Sequence, residues 1–311
     1  MKVLITGAAG FIGSNLVRYC GAKNPDWELI GFDDLSTGSE ANLKGLNVRL
    51  IVGSVANSDE ISTAADGVDA IVHLGALGSV PRSVADPMGS HVPNLTGTLN
   101  VLEAARKNNA YVTFSSSSSV YGANKALPKN EFDWTRPMSP YAVTKLGAEA
   151  YVLAYQHAYN LPTLAFRFFN VYGPLQAAGH AYAAVIPRFL DAAYSGTPLT
   201  VHGDGLQSRD FTFVDSVCAV LQSAVERKLV SADPVNLAFG TNTTLVELID
   251  LLRAKTGLSL EIENVEPRLG DVRASQADGL RVRELFPDVS PVSLEDGLDE
   301  TIAWFASEFG N

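Results

Sequence analysis

The stretch from Val3 to Gly13, VLITGAAGFIG, decides the fold. Apolar, strand-forming residues run into three glycines, Gly7, Gly10 and Gly13, and then into NLVRYCGAK, which reads as a helix. Strand, glycine-punctuated turn and helix in that order make a pyrophosphate cradle. The first glycine permits the tight turn, the second lets the backbone approach a phosphate, and the third lets the helix pack closely on the strand. The helix N-terminus adds free N–H donors and a partial positive charge. Phe11 and Ile12 fall inside this cradle and are expected to line it.

A second strand, Glu28 to Phe32, ends in Asp33, 20 residues beyond Gly13. An acid at that distance is placed to hydrogen-bond an adenosine ribose 2′-OH, and Asp34 beside it would repel a 2′-phosphate. The pair therefore favours NAD over NADP. Ser36, Thr37 and Gly38, which follow, are expected to complete the cofactor edge.

With 311 residues and 46% apolar content the chain can bury a full core, as one large domain or two interlocked ones. A formal charge of −11 argues against a nucleic-acid partner, because a phosphate backbone demands a basic face. No apolar run reaches the 18–20 residues of a membrane span, and the N-terminal apolar stretch, carrying three glycines after one lysine, reads as strand and turn. Cys20 and Cys218 stand alone, without metal-ligand spacing. They read as reduced packing residues of a cytoplasmic protein that binds no metal.

Strand patterns near 2–6, 28–32, 48–52, 69–73, 110–114 and 163–167 alternate with helical ones such as GTLNVLEAARK. That alternation predicts an α/β fold with a doubly wound parallel sheet. Beyond Asn170, Gly- and Pro-rich loops separate shorter elements, Thr244 to Glu247 reads as a capping box, and Ser293 with Asp296 looks similar. The expected division is a nucleotide-binding domain over 1–168 with a return segment near 211–238. A smaller C-terminal α/β substrate domain would take 169–210 and 239–311.

Tyr141 and Lys145, four apart in a helical pattern, share one face. A lysine ammonium beside a phenol is expected to lower the phenol's pKa and let it serve as a general base. The strand at 110–114 runs into Ser115 to Ser119, which puts hydroxyls at the C-terminal edge of the sheet, where open α/β folds bind ligands.

TGAAGFIG, Asp33, SSSSSVYG, PYAVTK and RFFNVYG, in this order and spacing, resemble the extended short-chain dehydrogenase/reductase family, and within it the nucleotide-sugar 4-epimerases. The resemblance spans nearly the whole chain and implies a Rossmann-type domain holding NAD and a C-terminal domain holding a nucleoside-diphosphate sugar. It implies Ser117 as the active-site hydroxyl, Tyr141 as the base and Lys145 as the cofactor-ribose anchor. Leu74, Gly75 and Ala76 of the HLGA segment, with Asn94 and Ser115, would line the cofactor. Ser118 and Ser119 would lie beside the sugar, Asn170 would meet the diphosphate or sugar, and Val185 would belong to the substrate cavity. Arg209 and Arg268 match phosphate-binding arginines, and Asp271 an acid that meets the nucleotide ribose.

The small Ser275, with Gln176 and LGSVPRS at 77–83, resembles the subgroup whose sugar pocket admits a 2-acetamido group. The implied activity is UDP-N-acetylglucosamine 4-epimerisation through a transient 4-keto sugar, with UDP-glucose a poorer substrate. A homodimer is implied through helices 97–108 and 140–159, with Leu99, Leu102, Leu146 and Tyr151 as its seam. The chain departs from the family pattern at Ser54, where an aspartate near adenine is frequent, and at Pro93. Other readings stay open: activity on UDP-glucose alone, a dehydratase or uronate decarboxylase, or a non-catalytic dinucleotide sensor. Against the second, Ser118 and Ser119 stand where those enzymes place acids before Val-Tyr-Gly.

Overall fold

The computed structural model describes residues 1–178, 183–266 and 273–309. The first half alternates strand and helix: β1 Lys2–Thr6, α1 Phe11–Lys23, β2 Glu28–Asp33, β3 Arg49–Val52, α2 Ser58–Ala64, β4 Ala70–His73, α3 Val80–Ala85, α4 Pro87–His91, α5 Gly97–Asn108, β5 Tyr111–Ser117, α6 Pro140–Tyr159 and β6 Thr163–Phe168. The second half has shorter pieces: β7 Val171–Tyr172, α7 Val185–Ser195, β8 Leu199–His202, β9 Ser208–Arg209, β10 Thr212–Phe213, α8 Val214–Arg227, β11 Val235–Leu237, β12 Thr243–Thr244, α9 Leu245–Thr256, β13 Ile262–Val265, β14 Ala274–Ser275, α10 Leu280–Leu285 and α11 Leu294–Phe309.

Among the described residues, seven parallel strands form the main sheet in the order β11-β6-β5-β4-β1-β2-β3. The order reverses between β1 and β4, the switch point at which doubly wound sheets open a crevice for ligands. Side-chain alternation sorts the core onto two faces. Val3 and Ile5 of β1 pack with Leu16 of α1 and Val217 of α8, while Leu4 between them packs with Ile61 of α2, Val101 of α5 and Val152 of α6. Each fully buried aliphatic side chain contributes roughly 1.5–3 kcal/mol.

Two features depart from the sequence reading. β5 runs through Ser117, because Ser115, Ser116 and Ser117 pair with Phe166, Arg167 and Phe168 of β6. A central ladder thus overrides the weak strand preference of serine. β11, three residues long, was too short to stand out as a strand. The expected caps are present: Thr244 and Glu247 form a capping box, and Ser293 caps Asp296. Leu102, expected on an intersubunit seam, is fully buried in the core; exposed apolar side chains in α6 include Val143, Tyr151 and Tyr159.

Candidate functional site

The glycine turn is built by close backbone packing. Gly7 has φ +70, and a Cβ there would lie 2.9 Å from the Gly75 nitrogen. At Gly13 a Cβ would stand 2.1 Å from the Gly7 carbonyl oxygen, so only a glycine lets α1 start this close to the turn.

Beneath the turn a buried hydrogen-bond chain joins β1, β4 and α5. The Gly75 N–H donates to Thr6 Oγ1 at 3.1 Å, and Thr6 Oγ1 meets His73 Nδ1 at 2.7 Å. His73 Nε2 lies 3.0 Å from Thr98 Oγ1, which donates to the Asn94 carbonyl at 2.6 Å. Because the Thr98 proton is spent on that carbonyl, its oxygen can only accept, so Nε2 carries the imidazole proton and Nδ1 accepts from Thr6. Burial, reinforced by the Lys145 charge, pushes His73 down to about 3, and the ring stays neutral. Thr6 did not stand out in the sequence, and His73, which opens the HLGA segment expected to line the cofactor, is buried and does not line the cleft, since its partners come from elements far apart in the chain.

The turn, the end of β2 and the loop after β4 enclose a cleft of about 500 Å³. Gly7, Gly10, Phe11, Ile12 and Gly13 line one wall, and Asp33, Asp34, Ser36 and Thr37 the adenosine end. Leu74, Gly75, Ala76 and Ser115 form the floor, with Ser117, Tyr141, Lys145 and Gln176 toward the far end. Asp33 accepts from the Ala9 N–H at 2.9 Å and from the Leu35 N–H at 2.8 Å, which ties the acid to the turn. Its burial raises its pKa, and hydrogen bonds from Leu35, Ala9 and Gly10 oppose that rise.

Two expected cofactor residues stand behind the wall instead of in it. Gly38 packs against Ala9, where a Cβ would come within 2.7 Å of backbone. Asn94 is buried, receives the Leu77 N–H at 2.7 Å, and donates to the Leu77 carbonyl and to Thr144 at 3.2 Å each. Its amide is consumed in joining the loop after β4 to α6, and Pro93 faces the cleft in its place.

Tyr141 and Lys145 project from the first turns of α6, whose N-cap is Ser139. Ser117 Oγ accepts from the Ser119 N–H at 3.2 Å and the Ser119 hydroxyl at 2.9 Å. With both lone pairs used, its own proton is left to turn toward Tyr141, whose pKa the Ser117 hydroxyl lowers. The lowering of the phenol pKa expected from Lys145 is not what the structure holds. Burial raises the Tyr141 pKa, opposed by Ser117, and burial pushes Lys145 down to about 7. The lysine is directed to the Ser115 carbonyl at 2.7 Å, and desolvation of both groups outweighs their mutual influence. Ser118 and Ser119 form the short helical turn beyond Ser117 and do not line the cleft.

A second cavity of about 230 Å³ adjoins the first, and Val171 and Gln176 line both. Asn170, Val185 and Arg209 line it with Arg188, His202 and Gln207, which the sequence reading missed. Gln176 donates to the Val171 carbonyl at 3.0 Å, while its Oε1 is buried and meets no partner among the described residues. Ser275 pairs with Arg209 across β14 and β9, which places it beside the cavity wall. Asp210, fully buried, accepts from Gly240 and Ala277 at 3.1 Å and from the Thr241 hydroxyl at 2.7 Å, and so anchors this wall. Arg268 and Asp271 lie outside the described residues.

The model of the NAD dependent epimerase/dehydratase family matches residues 3–238. The chain belongs to that family. This epimerase/dehydratase chain is 36% identical to the UDP-glucose 4-epimerase of Mycolicibacterium smegmatis over 99% of both chains. It superposes with a TM-score of 0.92, at 33% identity, on the UDP-N-acetylglucosamine 4-epimerase of Methanobrevibacter ruminantium in complex with UDP-N-acetylmuramic acid, over 99% of this chain and 98% of that one. The UDP-glucuronic acid 4-epimerase of Bacillus cereus, in complex with UDP-glucuronic acid and NAD, gives a TM-score of 0.90 at 29% identity, over 99% and 100% of the two chains. NAD is the cofactor, and the cleft fits it: a glycine cradle that any Cβ would fill and a carboxylate tied to that cradle at the end of β2. Among the described residues no helix is long and apolar enough to cross a membrane.

Proposed function

We propose that this protein is an NAD-dependent 4-epimerase of UDP-hexoses, with UDP-N-acetylglucosamine and UDP-N-acetylgalactosamine as its main substrate pair. The observation that carries the reading is the convergence of Ser117, Tyr141 and Lys145 on the glycine-turn cleft, which shares Val171 and Gln176 with the second cavity. When bound, NAD supplies reversible hydride exchange at the sugar's C4. Tyr141 takes the C4 hydroxyl proton and returns it, and Ser117, its donor directed at the phenol oxygen, stabilises the charge that develops there. Lys145 orients the cofactor ribose, and the neutral His73 chain holds the floor rigid beneath it. Arg209 and Arg268 would hold the nucleotide diphosphate, and Asp271 would meet the nucleotide ribose.

The N-acetyl assignment draws support from the small Ser275, paired with Arg209 of the cavity wall, and from Gln176 Oε1, an acceptor suited to an acetamido N–H. Similarity to the M. smegmatis enzyme favours UDP-glucose as a second substrate. The family's helical dimer would form on the face of α6 that exposes Val143 and Tyr151, and light scattering at micromolar concentration tests it.

The deciding experiment incubates the purified protein with UDP-GlcNAc, UDP-glucose and UDP-glucuronate, without added cofactor, and separates the C4 epimers by chromatography. Epimerisation of UDP-GlcNAc at a kcat/KM above that of UDP-glucose is expected. Turnover of UDP-glucose alone refutes the N-acetyl assignment, and release of a dehydrated or decarboxylated sugar refutes epimerisation.

A further inference from the structure

The face of α6 that carries Tyr141 and Lys145 continues one turn further to Glu149, a buried carboxylate that the proposed chemistry does not use. Its Oε2 accepts from the Ser116 hydroxyl at 2.6 Å and from Arg167 Nε at 3.0 Å, and its Oε1 from Arg167 Nη2 at 2.7 Å. Ser116 and Arg167 are direct partners across β5 and β6, so one carboxylate from the helix grips a cross-strand pair of the sheet. All three side chains are at least 95% buried.

The ion pair also reaches the other flank of Ser117. The Arg167 guanidinium lies 4.8 Å from the centre of the Tyr121 ring and donates to the Glu131 carbonyl at 3.2 Å. Tyr121 closes the turn that begins at Ser118, and its hydroxyl donates to Asn236 at 2.7 Å. Ser117 thus sits between two segments that the same ion pair holds: the helix bearing its partner Tyr141, and the turn whose Ser119 saturates its lone pairs.

A buried ion pair is weak evidence for stability, because its desolvation cancels much of its attraction; directional hydrogen bonds from three donors, by contrast, set distance and orientation. We propose that Glu149 is a positioning residue: through Ser116 and Arg167 it sets the placement of Tyr141 on α6 against Ser117 on β5, and so governs the proton-transfer step without contributing to cofactor or sugar affinity. The inference rests on the reading of Ser117 and Tyr141 as the acid–base pair. Proton transfer is sensitive to errors of about 1 Å, which cost on the order of 10²-fold in rate.

The test compares wild type, Ser116→Ala, and the charge-free pair Glu149→Leu with Arg167→Met, measuring kcat and KM for UDP-GlcNAc and UDP-glucose, NAD retained on purification, and Tm. Removing both charges together avoids an orphaned buried ion, so the pair variant should keep a Tm near wild type and full NAD content. It should lose at least about tenfold in kcat with KM changed less than about twofold. Ser116→Ala deletes one hydroxyl, leaves the ion pair intact, and should show the same split at several-fold. A pair variant with wild-type kcat, or a Ser116→Ala enzyme whose loss lies in KM, overturns the positioning role while the epimerase reading stands. If the pair variant does not fold, Ser116→Ala alone decides. Wild-type protein that epimerises neither sugar overturns the functional reading and this role with it.

Discussion

Replacing Gly13 by alanine tests the cradle most directly, because the geometry predicts both a stability loss and a binding loss from one methyl group. The new Cβ would stand 2.1 Å from the Gly7 oxygen and 2.7 Å from the Ala8 Cα, against 3.4–4 Å for ordinary contact. The obstacles are backbone atoms, which have no rotamer to escape into, so α1 must retreat from the turn by about 1 Å at a cost of roughly 1–3 kcal/mol. The same retreat moves the N–H groups that would meet the pyrophosphate. At 100 times its Kd a ligand stabilises the folded state by about 2.7 kcal/mol. With roughly 2–4 °C per kcal/mol for a chain of this class, wild type stripped of nucleotide should gain about 5–10 °C on adding NAD and stripped Gly13→Ala almost none. Gly21→Ala is the internal control. Gly21 lies in the same helix with nothing within 4 Å of a Cβ, so the substitution should stabilise by about 0.4–1 kcal/mol and leave the NAD response intact. The assay is thermal unfolding with and without NAD, together with the nucleotide content of denatured protein. A Gly13→Ala protein that copurifies with NAD and keeps the full thermal response would refute the reasoning.

Tyr141→Phe should keep NAD and UDP-sugar binding, followed by calorimetry, while kcat falls at least 10²-fold, as expected for removal of a general base. Lys145 has a pH signature in protein stripped of nucleotide. Its pKa is pushed from 10.5 to about 7, so the unfolded chain binds the extra proton between those values and stability rises with pH across that window. The difference in unfolding free energy between Lys145→Met and wild type, followed through Tm, should therefore favour the variant most below pH 7, by at most about 5 kcal/mol, and fade toward pH 10.5; a difference independent of pH would show that the lysine is not desolvated. Ser275→Tyr should lower kcat/KM for UDP-GlcNAc by roughly 10- to 100-fold while sparing UDP-glucose, since overpacking costs 1–3 kcal/mol and each 1.4 kcal/mol is tenfold. Equal loss on both sugars would remove Ser275 as the gate.

What the chain order alone determined was everything carried by local periodicity and short-range spacing. VLITGAAGFIG dictates strand, turn and helix because its glycines and apolar residues act within a dozen positions, and Asp33 follows from the length of one helix and one strand. Tyr141 and Lys145 share a face for the same reason. Only the tertiary structure decided how burial and long-range pairing redistribute polar groups. Asn94 spends its amide on Leu77 and Thr144, contacts 17 and 50 residues away, and so stands behind the cleft wall. Desolvation by burial raises the pKa of the phenol that a nearby lysine was expected to acidify. The neutral His73 chain and the grip of Glu149 on Ser116 and Arg167 arise from strands that meet only when the sheet is assembled. Dielectric and hydrogen-bond partners are properties of the packed interior; periodicity along the chain records which residues go inside, not which of them meet there.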